Sequence, residues 1–380
     1  MKRKSNQSVC FSMLGSKNTY WYTFDLSNDG EDDRIIVPCR CNCGCPCAKR
    51  IRHDTTHEAT PTLSPTKVLP KKDRNFLGWT VVGNQLYRLG GSFRDGFVRS
   101  VRTKTVRALD LTRNTTTEKS SNGGKWHRKA RMLAPRTRQH TVVVGGKIYV
   151  LGGYMLENNA DDTPWAEDYD PTSNIWEALP PPPKVPEKPR FGWVGECRFF
   201  WAGLEDDNDG EKGCIIVFSP QEELLLQYNV ANKSWNMSKL ERRSGDKPLG
   251  RIENPGGPAV AVGRMVYWFC GRTGCLYGFH IDTHILYASE LVIDVPRDWS
   301  ERPMLGHLGG HKFFLLHESL YQRSKAGQLM HCLKFSVDLV EARNRINVSL
   351  ESSQSLVIKR PGCFSNGCVV MSSQSQRDFP

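Results

Sequence analysis

The chain has 380 residues, 38% of them hydrophobic, with 33 glycines, 22 prolines and a formal net charge of +12. That length holds two ordinary domains or one ring of repeats, and the glycine and proline content suits many short strands joined by turns, which excludes a mainly helical protein. No apolar run approaches the length of a bilayer-spanning helix, and the basic start 1–4 is followed only by a short segment, 9–15, broken by Ser12, so the chain reads as soluble, non-secreted, and cytoplasmic or nuclear, with its 13 cysteines reduced.

Residues 1–17 read as a flexible tail. Residues 18–40 supply strands: Tyr22, Phe24 and Leu26 alternate as in a half-buried strand, and 34–37 is a plausible partner after a turn at 28–31. Residues 41–73 read as a Cys-rich and disordered linker, with Thr-Pro and Ser-Pro pairs and no periodicity. At the start of this stretch Cys39, Cys41, Cys43, Cys45 and Cys47 stand at alternate positions, which in an extended chain puts all five thiols on one face. Such spacing could wrap zinc or copper(I), but no second cysteine knuckle accompanies it, so the primary reading is an unligated loop and no cofactor is assigned.

From 74 to 375 the pattern repeats, leaving 376–380 as a tail. Residues 136–153 hold two β-branched runs separated by Gly145-Gly146, the chemistry of a hairpin turn with positive φ. The spacing glycine, aromatic four residues on, glycine four residues further appears as Gly145, Tyr149 and Gly153, the last preceded by Gly152. It recurs as Gly83, Tyr87, Gly91; as Gly195, Phe199, Gly203; and as Gly263, Tyr267, Gly271, with a decayed copy at Gly310 and Phe314. Each hairpin is followed by an apolar residue in a third strand, at Leu109, Tyr169, Tyr228, Phe279 and Phe335, in steps of 60, 59, 51 and 56 residues. In three copies a tryptophan opens the fourth strand: Trp126, Trp176 and Trp235. A four-stranded meander cannot bury both faces alone, so these units must stack.

Within 86–138 the chain carries 14 basic residues against three acidic ones, a one-sided field that attracts acidic or phosphorylated partners. The bland alternative is a set of solvated loops, and no aromatics are interleaved as a single-stranded nucleic-acid platform requires. His280, Asp282 and His284 share a spacing that could hold a metal, but turn polarity accounts for them more simply. The acidic stretch 205–211 lacks the later glutamate of a calcium loop, and no nucleophile elbow, phosphate loop or zinc-protease motif is present.

Arg136, His140, Gly145, Tyr149, Gly152, Gly153, Tyr169, Asp170 and Trp176 together resemble a kelch repeat, and the chain is similar to plant kelch-repeat proteins of the F-box/kelch kind over about 74–340. The resemblance implies an all-β, kelch-type β-propeller of the galactose oxidase-like class, and the five copies, with a sixth unit built from strands near both ends of the chain, predict six blades of four antiparallel strands closed by the N- and C-terminal strands. It implies a non-enzymatic protein-interaction scaffold linked to ubiquitin-ligase substrate recognition, although residues 1–73 carry no recognisable F-box. In such propellers the face formed by second-to-third and fourth-to-first connections receives the partner. Here that face would hold Arg94, Arg99, Arg102, Arg136, Arg138, Lys184, Arg190, Arg323 and Lys325, suited to an acidic or phosphorylated protein segment. The alternatives are a propeller-based metal-dependent enzyme and a basic nucleic-acid-binding protein.

Overall fold

The computed structural model describes residues 7–14, 18–26, 34–37, 49–53, 62–63, 67–70, 78–95, 99–110, 126–137, 139–153, 163–183, 200–204, 213–219, 224–239, 259–271, 273–293, 303–324, 327–358 and 363–372. Among these the regular structure is almost wholly antiparallel β-sheet, in units of four strands. The first unit comprises Gly78–Val82, Gln85–Leu89, Val106–Asp110 and His127–Lys129; the second His140–Val144, Lys147–Leu151, Ala166–Asp170 and Ile175–Ala178. The third comprises Phe200–Leu204, Cys214–Ser219, Leu224–Asn229 and Ser234–Lys239; the fourth Val260–Val262, Met265–Cys270, Cys275–His280 and Leu286–Ile293; the fifth Met304–Gly309, Lys312–Ser324, Gly327–Val340 and Arg345–Ile358, and these last two units are joined into one sheet by a short parallel pairing of Leu286–Ile293 with Arg345–Ile358. A further four-stranded sheet runs Cys363–Ser372, Gln7–Leu14, Asn18–Asp25, Lys67–Pro70, so the two ends of the chain pair with each other.

The hairpins form where glycine permits them. Gly145 and Gly146, at φ 56° and 73°, make the two-residue turn between His140–Val144 and Lys147–Leu151, a conformation whose twist matches that of the flanking strands. The third-to-fourth turn repeats its own device, a left-handed residue at Asn174, Lys233, His284 and Asn344. In the second unit the Asp170 carboxylate accepts the Thr172 N–H at 2.8 Å, and the Asn174 amide oxygen accepts the Tyr169 hydroxyl at 2.8 Å.

The cores lie between consecutive units. Tyr87, Leu89, Val106 and Ala108 of the first unit pack with Ile148, Val150, Tyr169 and Trp176 of the second, and comparable clusters join the second to the third, third to fourth, fourth to fifth, and fifth to the terminal sheet. Aromatic pairs recur at these joints: Tyr87 with Tyr169 at 6.0 Å, Tyr149 with Tyr228 at 6.3 Å and Phe218 with Phe279 at 4.8 Å. Trp176 donates its indole N–H to the Ala130 carbonyl at 3.0 Å, and Trp235 donates to Pro180 at 2.8 Å, so each clasps the exit of the preceding unit. Trp176→Phe keeps an aromatic ring, though a smaller one, and deletes that bond at a buried site, and is expected to cost at least about 1–2 kcal/mol in urea denaturation. Trp235→Phe, at a more exposed contact, is expected to cost less.

The structure departs from the sequence reading in four places. Residues 7–14, expected within a flexible tail, form a strand, because Val9 and Phe11 alternate into a core with Tyr22 and Phe24. Arg34–Val37 does not complete the terminal sheet; it pairs with Lys49–His53, which runs parallel to Leu286–Ile293, and Lys67–Pro70 takes the fourth position instead. The linker expected to be disordered over 41–73 therefore contains Lys49–His53, Thr62–Leu63 and Lys67–Pro70. In the third unit Gly203 does not close a hairpin; it lies in the first strand, Phe200–Leu204, and Ile216 takes the register of Tyr149 while Phe218 supplies the aromatic contact. Gly195 and Phe199 lie outside the described residues.

Candidate protein-interaction face

The second-to-third connection of the first unit carries an added two-stranded hairpin, Ser92–Asp95 with Arg99–Arg102. Its base is zipped to the segment leading from the first unit to the second. Thr103 N–H donates to the Gly91 carbonyl and Gly91 N–H to that of Arg136, both at 2.9 Å, while Met132 N–H reaches the Lys104 carbonyl at 3.0 Å. Gly90 and Gly153, at φ 59° and 87°, flank this segment, where an added Cβ would lie 2.6 Å from the Arg136 carbonyl oxygen and 2.9 Å from that of Thr137. Glycine here provides both the left-handed turn and the room for a second backbone.

Arg136 anchors the assembly from inside. Its side chain is fully buried; Nε donates to Glu167 Oε1 at 2.8 Å and Nη1 to the carbonyls of Gly152 at 2.6 Å and Trp165 at 2.9 Å, with Nη2 on the Pro164 carbonyl. Glu167 in turn accepts the backbone N–H groups of Leu133 at 2.5 Å and Ala134 at 3.4 Å. Burial lowers the guanidinium pKa from its ordinary value, and the Glu167 charge opposes that shift. The planar fork of arginine serves all four acceptors at once. Arg136 is thus a structural ion-pair partner, a correction to its expected place on the partner-binding surface: a side chain with no exposed area cannot meet a partner.

The remaining expected residues divide. Arg102 is half-buried at the end of the added hairpin, while Arg94 and Arg99 lie in its strands, where the backbone alone is described. Arg323 lies in Lys312–Ser324 on the same terms. Arg138, Lys184, Arg190 and Lys325 lie outside the described residues, as do Cys39, Cys41, Cys43, Cys45 and Cys47. The exposed side chains around the zipped base are Lys104, Arg131, Val101 at 36% and Leu133 at 39%. Sequence reasoning passed over Val101 and Leu133. The signal was the alternation along 131–134, which turns Met132 and Ala134 inward and Arg131 and Leu133 outward.

The His280, Asp282 and His284 group resolves into a turn. His280 Nδ1 accepts the N–H groups of Asp282 and Thr283, both at 3.3 Å, the task that Asp170 performs for Thr172 and Ser173 in the second unit. Both Asp282 carboxylate oxygens accept from one edge of the Arg264 guanidinium, Nε and Nη2, and this hydrogen bonding holds the carboxyl below the usual range. Among the described residues no group of three or more His, Cys, Asp or Glu side chains is placed to hold a metal ion.

The profile described as Kelch motif matches residues 135–183, which span Arg136, Glu167, Trp176 and the whole second unit. One F-box/kelch-repeat protein of Arabidopsis thaliana is 35% identical over 101 residues, covering 27% of this chain and 21% of the relative. A second from that plant is 34% identical over 160 residues, covering 42% and 38%, and a putative F-box/kelch-repeat protein is 29% identical over 163 residues, covering 43% and 44%. The chain therefore spans from about a fifth to less than half of the length of these curated relatives. The solved structure of YjhT covers 90% of this chain and 96% of its own, with a TM-score of 0.45 and 13% identity. The chain thus carries a kelch motif and is distantly homologous, over part of its length, to plant F-box/kelch-repeat proteins.

Proposed function

We propose that this chain is a six-bladed kelch propeller acting as a non-enzymatic scaffold, which holds an acidic or phosphorylated protein segment on the face above its first two units. Support for the ring comes from the first strands of the units: Gly78–Val82 lies against His140–Val144, that against Phe200–Leu204, and so on through Val260–Val262 and Met304–Gly309 to Cys363–Ser372, which lies against Gly78–Val82 again. Pairing of Gln7–Leu14 with Cys363–Ser372 supports a closure in which strands from both ends of the chain share one sheet.

The observation that carries the functional reading is the zipped base of the added hairpin, which sets Lys104, Arg131 and Leu133 outward around a hydrogen-bonded backbone, with Arg94 and Arg99 in the strands of the hairpin. Several cations around an apolar contact suit carboxylates or phosphates flanking a hydrophobic residue. The names of the relatives join F-box with kelch-repeat, which favours a role in presenting such a segment to a ubiquitin ligase.

The test is fluorescence anisotropy with acidic and phosphoserine-containing peptides. Lys104→Glu with Arg131→Glu is expected to weaken binding at least roughly tenfold, about 1.4 kcal/mol. Lys233→Glu, in a third-to-fourth turn and so at the opposite end of the strands, is expected to leave it unchanged. Equal loss in both variants would place the partner elsewhere, and preferential retention of RNA near physiological salt would support the nucleic-acid alternative.

A further inference from the structure

Met265–Cys270 and Cys275–His280 pair as consecutive antiparallel strands, and their register sets Cys270 directly opposite Cys275. Directly opposed side chains leave one face of an antiparallel pair with Cβ atoms about 4.5–5.5 Å apart, and a disulfide spans Cβ atoms about 3.5–4.5 Å apart with Cα atoms about 4.4–6.8 Å apart. A small inward adjustment therefore closes the gap. In no other strand register among the described residues do two cysteines stand opposite one another.

Both residues are thiols in this structure, Cys270 with 0% of its surface exposed and Cys275 with 6%. The turn holds the second thiol in place: Cys275 N–H donates to Thr273 Oγ1 at 3.3 Å, its Sγ to the Thr273 carbonyl at 3.7 Å, and Gly274 N–H to the Cys270 carbonyl at 2.8 Å. Trp268 and Tyr277, the next opposed pair on that face, stack at 5.7 Å. The turn joins second and third strands, so it emerges at the same end of its unit as the added hairpin does of the first.

The geometry points to Cys270 and Cys275 as a redox-sensitive pair that closes to a disulfide under peroxide and clasps the ends of their two strands together. The less buried Cys275 thiolate attacks one peroxide oxygen, the O–O bond breaks, and a sulfenic acid and hydroxide result. Cys270 sulfur then attacks the sulfenic sulfur; the S–S bond forms, the S–O bond breaks, and the departing hydroxide takes the Cys270 proton as water. In sum two thiols and one hydrogen peroxide give one disulfide and two waters. This chemistry is independent of the acidic-partner reading.

The sequence supplies the assay, because trypsin cleavage after Arg264, Arg272 and Arg297 places Cys270 in peptide 265–272 and Cys275 in peptide 273–297, each with a single cysteine. Folded protein is treated with hydrogen peroxide, blocked with N-ethylmaleimide in denaturant, digested and mapped by mass spectrometry. The expected product is the two peptides joined, lighter by two hydrogens than their sum, and returned to two maleimide adducts when dithiothreitol precedes blocking. Cys275→Ser is expected to abolish the joined species, leaving Cys270 to react with maleimide. Recovery of the wild-type peptides as separate maleimide adducts, as sulfinic acids, or linked to other cysteines overturns the proposal, and these wild-type results decide it even if the variant does not fold.

Discussion

Arg136→Ala is expected to lower the unfolding free energy by about 3–5 kcal/mol, measured by urea denaturation, although arginine is ordinarily a surface residue. The substitution leaves the Glu167 carboxylate buried without its cation and deprives the carbonyls of Gly152, Trp165 and Pro164 of their shared donor. Arg136→Lys is expected to recover part of the loss, since it restores the charge but one ammonium cannot reach all four acceptors. Replacing both partners, as in Arg136→Met with Glu167→Leu, is expected to cost less than Arg136→Ala alone, because no unpaired charge remains inside. A cost below about 1 kcal/mol for Arg136→Ala would mean a solvated arginine and would return it to the partner surface.

Gly203→Val is expected to destabilise by more than the 1–3 kcal/mol or so typical of overpacking, with Gly203→Ala inside that range. A Cβ at this position would lie 2.6 Å from Val142 Cγ1, 2.7 Å from Val144 Cγ2 and 2.9 Å from the Val143 carbonyl oxygen. Val142–Val144 belong to the first strand of the second unit, so the added atom wedges two sheets apart where neither has slack. Gly145→Asn is the informative contrast: that glycine needs its positive φ but has open space around it, and asparagine tolerates the left-handed region. Its cost is expected to stay within about 1 kcal/mol. If the two glycines respond alike, close approach is not the reason for Gly203.

Much of the first two units was legible because their signals are local. Gly83 and Gly145 mark turns, Tyr87 and Tyr149 fall in the second strands, and Leu109, Tyr169 and Trp176 fall in the third and fourth. The third unit misled because Gly195, Phe199 and Gly203 reproduce the spacing by chance, while Gly203 itself lies inside the first strand, Phe200–Leu204, which pairs with Cys214–Ser219. A spacing rule reads positions, whereas register depends on which residues reach the core, here Ile216 and Phe218. The surface was harder to read than the fold. A run of basic residues reports charge along the chain and says nothing of which arginine turns inward.

By itself the sequence determined the strand-rich character of the chain, the repeating four-stranded unit and its kelch motif, because turn glycines, alternating apolar residues and aromatics act over a few neighbouring positions. Only the tertiary structure decided that Arg136 is internal, that Arg34–Val37 joins Lys49–His53 beside the fourth unit, and that Cys270 faces Cys275 in register. Each of these outcomes depends on a partner placed by folding. A guanidinium goes inside only where Glu167 and three carbonyls converge, and a strand edge is filled by whichever segment completes its hydrogen bonds and buries its apolar face.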